Sequence, residues 1–228
     1  MLAAIEVSTL PGSVALLDLI SGEEVGFISL PSELDSASAL IPALEELLKQ
    51  QALTASDLSV VAVSVGPGSF TGIRVGISTA LGLGLPSQLY AFGISTLDGL
   101  VENFCHAGLE GEVLCLIDAQ RNECFVGHYQ VEKDAFYSLG PPAIWPIQQL
   151  NTLFKDRVWL VGPGAVKYEK ELRINLGSRG ILAFTQLHRP SASSIARLAY
   201  QRWKSGERPS LETLQPIYLR IPAADENA

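Results

Sequence analysis

Residues 65–76 read Val-Gly-Pro-Gly-Ser-Phe-Thr-Gly-Ile-Arg-Val-Gly. The run before them, Leu58 to Val65, is β-branched and predicts a strand, and the residues from about Gly72 to Leu85 predict a helix. The segment is a strand–turn–helix junction, the unit of which α/β folds are made. Its glycines permit backbone conformations closed to other residues. Ser69 or Thr71 suits a helix N-cap, and the free amides of a helix start suit an anion. Known phosphate and nucleophile signatures do not match. There is no Gly-Lys-Ser/Thr, Gly72 falls one place late for the third glycine of GxGxxG, and Ser69 is not framed as GxSxG. The nearest histidine is His106. The residues read as a structural turn, with an anion cradle as the alternative.

The helix that follows has a second feature. Gly72, Gly76, Ala80 and Gly84 recur every four residues and form one stripe, with Ile73 and Ile77 beside it. An interior glycine costs about 1 kcal/mol against alanine, so the stripe implies close approach of another backbone. Either the helix packs tightly on its own sheet or it contacts a helix of another subunit, and the sequence leaves both open.

Working outward, Leu2 to Ser8, Val14 to Ile20 and Val25 to Leu30 predict three strands joined by turns at Pro11-Gly12 and Ser21-Gly22-Glu23. A polar loop, Pro31 to Ser36, leads into an amphipathic helix over about 36–51. Its apolar face is Leu40, Leu44, Leu47 and Leu48, with Ile41 beside them and Pro42 in the first turns. Leu89 to Ile94 predicts a strand and Ser95 opens a helix through Phe104. The second half repeats the order. Val113 to Ile117, Cys124 to Val131 and 134–139 predict strands, and Ile147 to Phe154 a helix. Val158 to Val161 is the next strand, about 165–176 a helix, Ile181 to Phe184 a strand, and Ser191 to Lys204 a closing helix. Strands alternating with helices imply parallel pairs, and the leading hairpins imply mixed sheets. The expected division is a first lobe over 1–100 and a second over 101–228, with the closing helix, 191–206, packing back toward the first.

The chain has 228 residues, 47% apolar and 18% charged, enough for a real core. Its net charge is −8, which argues against tight, self-sufficient nucleic-acid binding. Residues 1–100 hold ten acidic side chains and two basic ones, Lys49 and Arg74; residues 101–228 hold fourteen of each. The cysteines, Cys105, Cys115 and Cys124, are odd in number and form no CxxC, so neither a disulfide framework nor a zinc pair is indicated. The N-terminus has no basic region and the apolar stretch Ile73 to Leu89 is interrupted by Arg74 and Pro86. Neither a signal peptide nor a membrane span is expected, and a cytoplasmic location is. His106, His128 and His188 have no metal-ligand spacing, and HExxH is absent, so no metal site is expected. Arg197, Arg202, Lys204 and Arg208 read as a solvated helix face or a supporting contact to RNA or an acidic partner.

Glu6-Val7-Ser8-Thr9 ends the first strand of half one, and Asp118-Ala119-Gln120-Arg121 ends the first strand of half two. Acidic and hydroxyl groups on two such turns hold a metal-bound phosphate in duplicated actin-like ATPases. Here Val7 and Pro11 crowd the first turn, and Glu6, Ser8, Thr9 and Asp118 read better as ordinary turn residues than as a nucleotide site.

These residues together resemble the TsaB (YeaZ) family, over nearly the whole chain. Val65 to Gly76 is similar to its glycine-serine-phenylalanine-threonine-glycine-leucine-arginine segment. Ala4-Ile5-Glu6-Val7-Ser8-Thr9 is similar to its opening Ala-Ile-Asp-Thr-Ser-Thr, and Leu40-Ile41-Pro42 to its Leu-Leu-Pro helix. Ile117 to Glu123 is similar to Ile-Asp-Ala-Arg-Arg-Gly-Glu, and Pro216-Ile217-Tyr218-Leu219-Arg220 to its closing Pro-x-Tyr-Leu-Arg. Departures are Glu6 for aspartate, Val7 for threonine, Ser36 for a histidine, and Gln120 and Asn122 for arginine and glycine. The resemblance implies a duplicated actin/hexokinase-like (ASKHA, ribonuclease H-like) fold of two lobes with mixed sheets and flanking helices. It implies a glycoprotease-like (peptidase M22-like) chain that is not itself an enzyme. Such a chain is a scaffold for N6-threonylcarbamoylation of adenosine 37 in tRNA (t6A), binding a catalytic TsaD subunit and, with it, the ATPase TsaE. A homodimer is expected when the partner is absent, tRNA contact through the complex, no membrane, and no cofactor on this chain, ATP and metal belonging to the partners. The expected contact residues are Leu40, Leu44, Leu47, Gly68, Ser69, Phe70, Thr71, Gly72, Arg74, Gly76, Ala80 and Gly84. The alternative is a stand-alone actin-like enzyme, either a small-molecule kinase or a peptidase, or a nucleotide sensor.

Overall fold

The computed structural model describes residues 1–32, 36–86 and 89–220. Of the expected polar loop Pro31 to Ser36, residues 33–35 lie outside the described residues. The chain divides into two compact units. Unit 1 is Met1–Gly99 with Pro190–Pro216, and unit 2 is Leu100–Arg189 with Ile217–Ala228, of which 221–228 lie outside the described residues.

Unit 1 begins with an antiparallel meander, β1 (Leu2–Glu6), β2 (Ser13–Leu17) and β3 (Glu24–Ser29). After α1 (Ser36–Gln50), β4 (Val60–Ser64) returns parallel to β1. After α2 (Phe70–Gly84), β5 (Tyr90–Ile94) adds parallel to β4. The sheet order is β3-β2-β1-β4-β5. β1 and β4 are buried along their whole length, as strands covered on both faces must be. Side chains alternate across a strand. Leu2 and Ala4 face Ile195, Ala196 and Ala199, which belong to the closing helix of the unit, residues 192–204. Ile5 and Val63 face α2.

α3 (Thr96–His106) leads into unit 2, which repeats the plan. β6 (Gly111–Asp118), β7 (Glu123–Glu132) and β8 (Ala135–Ser138) form the meander, and β9 (Ala143–Pro146) also pairs with β7. β10 (Val158–Val161) and β11 (Gly180–Leu182) add parallel to β6, in the order β11-β10-β6-β7-β8. Leu114, Leu116, Cys124 and Val126 pack under Ile147, Leu150, Phe154, Leu172 and Leu176. Both units thus show a meander extended by two parallel strands on the side of the first strand. This is the duplicated actin/hexokinase-like, ribonuclease H-like fold.

Differences from the sequence reading have local causes. The helix expected over 165–176 is two, α4 (Pro163–Lys167) and α5 (Glu169–Leu176), broken at Tyr168 with φ −105° and ψ 24°. Tyr168 buries its ring in the core and sends its hydroxyl to Asp118, which continuous helix geometry does not require. The helix expected over Ile147 to Phe154 is a shorter, 3-10 helix, Ile147–Thr152. β9 lies directly behind Pro141-Pro142, which hid its signal; Pro146 is tolerated at its end because a strand terminus need not donate. Pro42 lies in the interior of α1, with its ring exposed, rather than in the first turn. The closing helix, α6 (Ala192–Lys204), is capped by a Ser191–Ser194 box. No described helix is long and apolar enough to cross a membrane.

Candidate functional site

The first acidic turn folds onto itself. Glu6 is fully buried, and its Oε1 accepts hydrogen bonds from the Ser8 amide (2.9 Å), the Ser8 hydroxyl (2.7 Å) and the Thr9 amide (3.1 Å). The Ser8 hydroxyl also meets Thr96 Oγ1 at 2.8 Å. Glu6 Oε2 and Ser64 Oγ have no hydrogen-bond partner among the described residues. Burial pushes the Glu6 carboxyl above the usual carboxylate range. The donors of Ser8 and Thr9 oppose that shift, as does the nearby Ser64 hydroxyl, although its placement falls short of hydrogen-bond geometry. The carboxylate therefore ties its own turn together instead of pointing to solvent.

That turn in turn occupies the glycine-rich junction. The Ser69 amide donates to the Ser8 carbonyl at 2.7 Å, and the Ser69 hydroxyl caps α2 by accepting from the Gly72 amide at 3.2 Å. The amides in which an anion would lie are taken by a carbonyl and a cap, so the anion-cradle reading gives way to the structural one. Glycine is required for close approach. A Cβ on Gly72 would fall inside the Val7 carbonyl, and one on Gly68 would lie 3.0 Å from Ser8 Cβ and closer still to its carbonyl oxygen.

The stripe faces inward along its whole length. A Cβ on Gly76 would stand 3.0 Å from Val7 Cγ2 and 3.1 Å from Val63 Cγ2, Ala80 is completely buried, and Gly84 lies under Leu211. Gly72, Gly76, Ala80 and Gly84 are thus core residues of unit 1, which corrects their assignment as a subunit contact. Leu40 and Leu47 of α1 are buried too, Leu47 against Gly26 of the sheet, and are corrected in the same way, while Leu44, 3% exposed, lines the groove between α1 and α2. The reason is common: the apolar face of a helix is taken first by its own sheet.

What α1 and α2 show outward is different. Ser69, Thr71 and Arg74 are exposed, and the Arg74 guanidinium lies 3.7 Å from the centroid of the half-buried Phe70 ring. Arg74, Ser78 and Gly82 form a second four-residue stripe on the exposed side. Between the helices runs an apolar groove of about 410 Å³, lined by residues that include Ile41, Leu44, Glu45, Ser78, Gly82 and Leu83. Ile41 is 52% exposed there. The sequence reading missed Ser78, Gly82 and Leu83; a helical glycine off the Gly72–Gly84 spacing was the available signal.

The second acidic turn, in unit 2, is neutralised by partners from α4 and its end. Asp118 Oδ2 accepts from Lys167 Nζ at 2.5 Å and from Gln120 Nε2 at 2.9 Å, and Oδ1 accepts from the Tyr168 hydroxyl at 2.7 Å and the Gln120 amide at 2.9 Å. Burial alone would raise the Asp118 carboxyl, but these donors together hold it below the usual range. Gln120, Arg121 and Asn122 follow with positive φ of 63°, 56° and 59°. Arg220 holds this turn from outside, bonding the Ala119 carbonyl and the Glu123 carboxylate.

His188 and His128 serve structure. His188 is buried, accepting from the Gly162 amide at Nδ1 (3.2 Å) and donating from Nε2 to the Ala183 carbonyl (3.0 Å). His128 pairs with Glu112 at 2.7 Å. Cys105, Cys115 and Cys124 are buried and form no disulfide. Among the described residues no group of three or more His, Cys, Asp or Glu side chains is placed to hold a metal.

Comparison with known proteins bears on this arrangement. Residues 31–172 match the family model described as TsaD: tRNA N6-adenosine threonylcarbamoyltransferase. The tRNA threonylcarbamoyladenosine biosynthesis protein TsaB of Bacillus subtilis (strain 168) is 26% identical over 227 residues, covering 97% of this chain and 95% of that protein. The protein of the same name from Haemophilus influenzae is 28% identical, covering 96% and 93%. Among solved structures, YeaZ from Pseudomonas aeruginosa superposes with a TM-score of 0.80 at 26% identity, covering 96% of this chain and 99% of that one.

Proposed function

We infer the function from the family: the chain belongs to the threonylcarbamoyltransferase family whose model it matches, and within it to the TsaB/YeaZ group, and it is a cytoplasmic, non-catalytic scaffold for N6-threonylcarbamoylation of adenosine 37 in tRNA. Its role is to bind a catalytic subunit of TsaD type and, with it, the ATPase TsaE. The observation that carries this reading is the pairing of two spent turns with one open face. Glu6 and Asp118 are the acids that an actin-like phosphate site would use. Each is already engaged within its own unit, Glu6 by Ser8 and Thr9, Asp118 by Lys167, Tyr168 and Gln120. They do not fit a metal-bound phosphate, so no catalytic step is assigned to this chain and no nucleotide is placed on it.

The open face is the outer surface of α1 and α2. Its apolar groove and the stacked Phe70–Arg74 pair offer an apolar centre with a polar rim, the usual anatomy of a protein interface. The same face serves a second copy of the chain when the partner is absent. Buried Gly72, Gly76, Ala80 and Gly84 set the position of α2 on its sheet, and Thr71, Arg74, Ser78 and Gly82 meet the partner.

Co-purification with the catalytic subunit tests this, using Ile41→Glu and Gly82→Arg. Nothing lies within 4 Å of where a Gly82 Cβ would be, so the arginine leaves the monomer folded while filling the groove. Loss of partner binding with an unchanged melting temperature is expected. Undiminished binding by both variants, or ATP hydrolysis and tRNA modification by the chain alone, overturns the proposal.

A further inference from the structure

Unit 1 has a second outward feature, at the end of α6. Between Arg197 and Arg208 lie four cationic residues, Arg197, Arg202, Lys204 and Arg208, and one acid, Glu207. This stands out in a unit whose first 99 residues hold ten acids against two bases. The cations are set beside aromatic rings. The Arg208 guanidinium lies 3.4 Å from the Trp203 ring centroid and 5.9 Å from that of Tyr90, and the two rings are 5.5 Å apart. Lys204 Nζ lies 5.7 Å from the Tyr200 ring. Arg208 is oriented by donating to the Trp203 carbonyl at 2.8 Å and the Glu207 carbonyl at 2.6 Å. Glu207 is engaged by Arg202 at 2.7 and 3.0 Å, so the acid in the cluster does not neutralise Lys204 or Arg208. Both of these are exposed, and Tyr90 is 40% exposed on the edge strand β5.

An acidic peptide would use the cations alone. RNA uses cations for its phosphates and aromatic or guanidinium planes for unpaired bases. We propose that this face is an RNA contact, with Lys204 and Arg208 on phosphates and an unpaired base against the exposed ring of Tyr90 in the tilted Tyr90–Trp203 pair that Arg208 flanks. It rests on the tRNA-directed function proposed above. The acidity of the rest of the unit keeps the contact weak and auxiliary, so it adds to binding by a complex and does not replace it.

The test is a fluorescence-anisotropy titration of the full chain with unmodified tRNA at low salt, repeated at several salt concentrations, with ultraviolet cross-linking to map the contact. Wild type is expected to bind in the range of roughly 1–100 μM typical of non-specific contacts, and to cross-link in the peptides holding Tyr90 and Trp203. Lys204→Glu with Arg208→Glu is expected to weaken binding at least about tenfold, lowering the salt slope by about 0.7–0.9 for each phosphate that is no longer neutralised. Tyr90→Ala is expected to weaken it roughly fivefold or more with an unchanged slope. Melting temperatures show that the variants are folded. No binding by wild type, equal affinities of wild type and variants, cross-links confined elsewhere, or competition by polyglutamate equal to that by single-stranded RNA each overturn the inference. Failure here with intact co-purification of the catalytic subunit sinks this face alone; failure of wild type to co-purify sinks the functional reading instead.

Discussion

Gly72→Ala is the sharpest probe of why residues 65–76 have their sequence. The new methyl group would fall inside the Val7 carbonyl, 3.1 Å from its carbon and 3.4 Å from Ser69 Cβ. The nearest obstacle is backbone, so either the β1–β2 turn or α2 must move, and the turn is pinned by Glu6 and by the Ser69 amide. Overpacking of this kind costs ~1–3 kcal/mol, and a backbone obstacle places it near the upper end. The gain in helix propensity, about 1 kcal/mol, offsets part, leaving a net loss of ~2 kcal/mol. Gly82→Ala is the internal control. It makes the same chemical change in the same helix, at an exposed site with nothing within 4 Å, and should gain up to about 1 kcal/mol. At roughly 2–4 °C per kcal/mol for a chain of this size, the two variants should melt roughly 5–12 °C apart. Differential scanning calorimetry of both variants measures this directly. Equal melting temperatures, or a more stable Gly72→Ala, would refute the close-approach argument and return the stripe to the role of a subunit contact.

Three further outcomes follow from buried groups. His188 is held neutral by burial, its pKa below the ordinary value of 6.5, so the unfolded chain takes up its proton first. Stability that is complete above about pH 6.5 should fall as pH drops below it, and His188→Gln should flatten that part of a melting-temperature profile relative to wild type. Glu6 has the opposite sign: its folded pKa is raised, so the native state holds the proton more tightly and stability declines as pH rises above 4.5. The difference in melting temperature between Glu6→Gln and wild type should therefore grow in favour of the variant between pH 4.5 and pH 8, and a constant difference would contradict the burial argument. Cys124 is buried with its thiol pushed up to about 12, so iodoacetamide at pH 8 should leave it unmodified in the native chain and label it in guanidinium, as read by mass spectrometry.

The order of elements was legible because it is written locally. Alternating or continuous apolar runs between turn residues located ten of the eleven strands among the described residues, and the 3.6-residue recurrence of Leu40, Leu44 and Leu47 located α1. The doubled order of strands and helices was enough to identify a duplicated α/β fold, since a meander followed by crossovers has few ways to close. Where the local signal was weak, at β9 behind two prolines and at the break in 165–176, the reading failed, because those elements are set by pairing with β7 and by the bond from Tyr168 to Asp118.

The outward or inward sense of a helix face was not in the sequence. A stripe of small residues reads the same whether the backbone it receives comes from its own chain or from another. What decided it was the β1–β2 turn, some sixty residues earlier, landing on Gly68 and Gly72. The state of the acidic turns was hidden for a related reason. Glu6 is bonded through Oε1 by its own neighbours, within three residues, but Asp118 is bonded by Lys167 and Tyr168, 49 and 50 residues on. Charge segregation and the succession of strands and helices follow from each residue and its near neighbours, and so can be read along the chain. The tertiary structure alone decided which polar groups are spent and which face is left for a partner, because burial and hydrogen bonding depend on residues that only folding brings together.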